Sequence, residues 1–110
     1  MNLSGGALTV LAKNETKFGI AIPQMFQGED VNMDLISSHI RQAESLGYES
    51  LWVQDQVIGS MPTLAPLNLL AYAAALTRKV RLGVSVLVQP YRNPVLLAKM
   101  IATFDQMTKG

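Results

Sequence analysis

Three polar side chains, Gln54, Asp55 and Gln56, end an abrupt apolar run from Leu51 to Val53 in the stretch ESLWVQDQ, residues 49–56. One carboxylate between two amides can accept several hydrogen bonds and donate others. Such a set can orient a polar ligand, but a neutral amide cannot take a proton near pH 7. The same three residues could equally cap a turn back to solvent. Gln24, directly after Pro23, has the same two readings: it faces a substrate, or it stabilises a turn. The single histidine, His39, cannot build a zinc site without several converging carboxylates. It lies among apolar residues and serines and reads as structural. Met61, Met100 and Met107 read as gap-fillers rather than ligands.

What elements must carry these residues? Residues 17–23, KFGIAIP, read as a first strand stopped by Pro23. Residues 50–54, SLWVQ, read as a second. Residues 80–88, VRLGVSVLV, read as a third, rich in valine. Their apolar stretches are continuous rather than alternating, the pattern of strands covered on both faces in parallel sheets. Trp52, between Leu51 and Val53, reads as core rather than chamber wall.

Helical patterns lie between and after these strands. In residues 33–47 the apolar positions Leu35, Ile36, Ile40, Ala43 and Leu46 form one stripe. Asn32 is placed to cap its start and Gly47 to end it. Leu67 to Leu76 is almost wholly apolar or small, so this helix packs on more than one side. In residues 93–110 Asn93 caps, Pro94 takes the first helical position, and Leu97, Met100, Ile101, Phe104 and Met107 form the stripe.

The order is strand, helix, three times over. Phe18, Leu51 and Leu82 occupy corresponding positions 33 and 31 residues apart. Such alternation predicts an α/β fold with parallel strands and right-handed crossovers. Both an open doubly wound sheet and part of a closed barrel fit. Eight units of roughly 31 residues make the usual length of a (β/α)₈ barrel, about 250. No G-x-G-x-x-G turn follows the first strand, where PQMFQGEDVN has a single glycine, Gly28. The barrel is therefore favoured.

The bulk properties exclude several classes. The chain has 110 residues, no cysteine and a net charge of +1. Disulfides and thiolate metal sites are ruled out, and no nucleic-acid or anionic-membrane partner is called for. Arg78, Lys79 and Arg81 read as a solvated cluster beside a helix end. No run of 18 apolar residues predicts a membrane span. Residues 1–16 lack a basic start and a cleavage site and are expected to be a flexible tail, leaving 17–110 as the domain. A cytoplasmic setting is expected.

Two longer stretches carry a resemblance. AESLGYESLWVQD (43–55) and LTRKVRLGVSVLVQPYRNPVLLAKMIATFDQMTKG (76–110) resemble the bacterial-luciferase-like monooxygenase superfamily. FGIAIPQ (18–24) looks like the opening strand of its deazaflavin-dependent oxidoreductase branch. The resemblance implies the first three βα units of a TIM (β/α)₈ barrel, with cofactor and substrate at the carboxyl ends of the strands. It implies hydride transfer, with or without oxygen incorporation, on a small organic substrate. The cofactor would be the deazaflavin coenzyme F420, with FMN as the alternative. In such relatives an Asp-His pair follows the second strand; Asp55 matches the Asp, but Gln56 replaces the His. The implied catalytic positions are thus Asp55 and Gln56, with acid–base chemistry there in question. Asp55, Ser85, Val86 and Leu87 would face the cofactor, and Gln24 the substrate. Relatives have a bulge and a non-proline cis peptide where Ser85-Val86 stands. Arg92 would reach a coenzyme phosphate or form a surface ion pair.

Relatives continue past the position of Gly110, so the chain is expected to be an N-terminal fragment whose open edges need the rest of a barrel or a second copy. The alternative to a catalytic part is a truncated, non-catalytic α/β module that self-associates or awaits a partner.

Overall fold

The computed structural model describes residues 16–28 and 30–110; the tail expected over residues 1–16 lies, Thr16 apart, outside the described residues. The order is β1 (Gly19–Ala21), α1 (Met33–Ser45), β2 (Ser50–Val53), α2 (Pro66–Leu76), β3 (Arg81–Val84), a 3₁₀ turn (Gln89–Tyr91) and α3 (Pro94–Thr108). The strands form one sheet in the order β1-β2-β3, all parallel. This is the expected α/β arrangement. The strands are shorter than the apolar runs of residues 17–23, 50–54 and 80–88.

The register refines the sequence period. Ile20 lies opposite Leu51, and Leu51 opposite Leu82, so both steps are 31 residues. Phe18, the residue expected in that row, precedes the strand and is exposed. The helix ends follow local chemistry. Leu35 N–H donates to Asn32 Oδ1 at 2.9 Å, and Val95 and Leu96 N–H donate to Asn93 Oδ1 at 2.9 and 3.2 Å. Each cap satisfies N–H groups that the first helical turn leaves without partners. Gly47, at φ +87°, adopts the left-handed conformation that reverses the chain after α1.

The core is the layer between the sheet and the helices. Leu51 and Val53 of β2 pack with Ile22, with Ile36, Ile40 and Ala43 of α1, and with Leu69, Leu70 and Ala73 of α2. Burying an aliphatic side chain of this kind contributes about 1.5–3 kcal/mol. The α1 stripe is narrower than its periodicity predicts, since Leu35 and Leu46 are exposed. Helix α2 touches α1, α3, β2 and β3, so its apolar perimeter is used on several sides. Helix α3 departs from expectation: none of its residues is buried. Of its stripe, Met100, Ile101 and Met107 are exposed and Phe104 alone leans on the core. The reason is positional. Helix α3 follows β3, and its main contact with another helix is with α2.

Two polar devices tie helices to strands. His39 Nε2 lies 2.9 Å from the carbonyl oxygen of Ala21, consistent with its structural reading. At the amino ends of the strands, the Glu44 carboxylate accepts the backbone N–H groups of Arg78, Lys79 and Val80, with shortest distances of 2.9, 2.9 and 3.1 Å. Burial pushes the Glu44 carboxyl up, but the three N–H donors and the charge of Lys79 outweigh it and hold it below the usual carboxylate range.

Candidate active site

The carboxyl ends of the three strands share one rim, because the strands are parallel and in register. Pairing runs one step past β1 and β3: Ile22 N–H donates to Trp52 O, and Ser85 N–H to Val53 O, both at 2.9 Å. Gln24, Gln54 to Gln56 and Ser85 to Val88 therefore emerge side by side.

Asp55 is the centre of the rim. Its side chain is 2% exposed and its Oδ2 accepts Arg92 Nη1 at 2.5 Å and the Val88 N–H at 2.8 Å. The same Arg92 Nη1 donates to the Val88 carbonyl at 2.9 Å. The hydrogen-bonded Arg92 guanidinium holds the Asp55 carboxyl below its usual range; burial opposes this, and the Val88 N–H adds to it. The carboxylate is thus ionised at neutral pH and carries no proton to donate. Arg92 itself, its side chain 20% exposed, forms its ion pair with Asp55. Its Nη1 is committed to Asp55 and Val88.

Gln24 is 6% exposed and belongs to the turn. Its Nε2 donates to the carbonyls of Gln54 (2.6 Å) and Leu64 (2.7 Å), and its Oε1 accepts the Gln54 N–H at 2.7 Å. Two donors and an acceptor are thereby spent on main chain, which holds the ends of β1 and β2 to the loop after β2. Of the two readings open for Gln24, the turn-stabilising one matches this geometry.

Gln56 is exposed, with Thr63 Oγ1 donating to its Oε1 at 3.4 Å. Ser85 and Val86 are exposed, Val86 to 74%, and Leu87 is half-buried. The Ser85-Val86 peptide is cis, at the position the resemblance implied. Among the described residues no group of three or more His, Cys, Asp and Glu could hold a metal ion. Nor is any helix among them long and apolar enough to cross a membrane.

Trp52 corrects an expectation. Leu51 and Val53 point to the helices, so Trp52 points to the opposite face of the sheet, where it is 41% exposed. Its Nε1 donates to Ser50 Oγ at 2.9 Å, and the indole lies across both neighbouring strands. A Cβ at Gly19 would come within 2.5 Å of the ring, and one at Gly83 within 2.6 Å. These two glycines are the signal that sequence reading passed over. A glycine inside a strand often marks close approach of another group. Here the group is the tryptophan of the strand between them.

Comparison with known proteins bears on this rim. A family profile described as luciferase-like monooxygenase matches residues 16–110. The 4-hydroxyprotoasukamycin monooxygenase of Streptomyces nodosus subsp. asukaensis is 35% identical over 68 residues, 61% of this chain and 18% of that protein. Limonene 1,2-monooxygenase of Rhodococcus erythropolis is 28% identical over 72 residues, 64% of this chain and 19% of that protein. The chain thus spans less than a fifth of the length of these relatives. Two solved structures share the fold. One is the oxygenating constituent of the Pseudomonas putida 3,6-diketocamphane monooxygenase with FMN, a type II Baeyer-Villiger enzyme. Its TM-score is 0.74 at 24% identity over 87% of this chain and 28% of that one. The other is an F420-dependent secondary alcohol dehydrogenase with an F420-acetone adduct, with a TM-score of 0.69 at 23% identity over 87% and 29%.

Proposed function

Since the chain belongs to the luciferase-like monooxygenase family, we propose that it forms the first wall of a (β/α)-barrel oxidoreductase site that holds a flavin-type ring. The deazaflavin coenzyme F420 is the first candidate and FMN the second. The observation that carries this reading is the shared rim: in-register parallel strands whose carboxyl ends bring Gln54, Asp55 and Gln56 beside Ser85 to Val88. The residues suit the uncharged ring end of such a cofactor. Exposed Val86 offers apolar surface, and exposed Gln54 and Gln56 offer amide donors and acceptors.

The cofactor would supply the hydride chemistry, on a small organic substrate. This chain's residues would orient the ring and exclude water. Gln56 can orient a carbonyl or hydroxyl but cannot exchange a proton, and ionised Asp55 has none to give. Any proton donor to the substrate would come from outside this rim.

The test uses the single tryptophan. Trp52 lies on the open sheet face next to the rim, so a bound ring should quench its emission. Titration of the 110-residue chain with F420 and separately with FMN is expected to give saturable quenching, with the tighter cofactor identified by its midpoint. No quenching by either up to about 1 mM, the weak end of specific binding, overturns the reading.

A second reading is favoured by the exposed apolar residues of α3, Val95, Leu96, Met100, Ile101 and Met107, and by the outer edges of β1 and β3, which pair with no strand among the described residues. On this reading the chain is a non-catalytic module completed by a second copy or by the rest of a barrel. Sedimentation that finds a concentration-independent monomer argues against the second copy.

A further inference from the structure

The geometry points to Asp55 and Arg92 as a positioning pair that clamps Val88 and thereby sets the course of the segment Ser85–Leu87 across the rim. For its ligand-facing consequence this rests on the reading above. Three observations carry it. The Val88 N–H donates to Asp55 Oδ2, the Val88 carbonyl accepts Arg92 Nη1, and the same nitrogen donates to the same carboxylate oxygen. Both polar main-chain groups of one residue are therefore held by one largely buried ion pair. The carboxylate belongs to the end of β2, so the pair fixes the segment after β3 relative to the neighbouring strand. Besides it, the 3₁₀ turn, closed by Arg92 N–H to Gln89 O at 2.8 Å, guides the return of this segment toward α3.

Asp55 then acts through Val88 and not on a reacting atom. Its place in the family's Asp-His position does not make it a proton carrier here. With Gln56 beside it, the rim has one buried charge whose task is geometry, and exposed neutral groups whose task is contact. The pair also explains why a charge is placed where an amide would suffice for capping. An ionised acceptor makes hydrogen bonds about twice as strong as a neutral one, and it needs a cation to stay ionised once buried.

The test combines amide hydrogen exchange with the cofactor titrations on the 110-residue chain. In Asp55→Asn the amide oxygen can still accept but without charge, so the Val88 N–H is expected to exchange about tenfold faster, as for a hydrogen bond that loses its ionised acceptor, while core amides such as Leu51 keep their rates. Arg92→Ala is expected to do the same, and Arg92→Lys to recover part of the protection, since an ammonium can still bridge carboxylate and carbonyl. The midpoint for F420 or FMN is expected to rise about tenfold in Asp55→Asn. Should Asp55→Asn fail to fold, the two Arg92 variants carry the same comparison. Unchanged Val88 exchange in Arg92→Ala overturns the clamp, as does a rise in exchange spread evenly over the core. Faster Val88 exchange with an unchanged cofactor midpoint overturns its role in ligand placement. If the unaltered chain binds neither cofactor, the functional reading falls, and the exchange data still decide the clamp.

Discussion

Each end of the sheet has a carboxylate that gathers main-chain N–H groups from a loop more than 30 residues away, yet the two are built differently. At the amino ends, Glu44 is partly exposed and accepts three successive N–H groups of the loop before β3, residues 78–80. At the carboxyl ends, Asp55, its side chain 2% exposed, accepts one N–H and pairs with Arg92. Backbone dipoles suffice to stabilise a charge that still reaches water. A buried charge needs a counter-charge, because desolvation costs several kcal/mol per ion. The contrast suggests that the amino-terminal rim is scaffold. At the opposite rim an ion pair is kept although apolar residues in place of both partners would relieve a desolvation penalty.

The sharpest way to break this comparison is Asp55→Ala. It strands the Arg92 cation and the Val88 N–H, and is expected to cost about 3–5 kcal/mol in urea unfolding. A loss below about 1 kcal/mol would show that the two carboxylates are equivalent and that the ion pair is incidental. Glu44→Ala comes next, at about 1–3 kcal/mol, with no cation left unpaired. Glu44→Gln should recover part of that, since an amide oxygen still accepts.

Acid titration sharpens the same contrast. Both carboxyls are held below their usual range, so the stability they contribute is present above the unfolded-state values of about 4. It is lost as pH falls through the lower folded-state values. The unaltered chain should lose stability below about pH 4, and Asp55→Asn and Glu44→Gln should each flatten that decline. The smallest effect is expected at Glu49, whose carboxylate among the described residues meets the side chains of Lys17 (3.9 Å) and exposed Arg81 (3.3 Å). Glu49→Gln should change stability by under about 1 kcal/mol, and a larger cost would mean that side-chain pairs at this rim matter as much as main-chain ones.

The sequence by itself determined what depends on neighbours along the chain. The alternation of strand and helix, the caps at Asn32 and Asn93, the left-handed Gly47 and the parallel sheet all follow from spacing and local backbone preference. So does the presence of polar residues where β2 ends. Only the tertiary structure decided which partners those residues take. Asp55 meets Arg92, Gln24 meets Gln54 and Leu64, and Glu44 meets residues 78–80 because sheet register and helix packing bring distant segments within hydrogen-bond reach. No local period encodes that. Trp52 shows the limit most clearly: its apolar neighbours suggested core, but strand alternation turned it to the other face, and Gly19 and Gly83 across the sheet made the room for its ring.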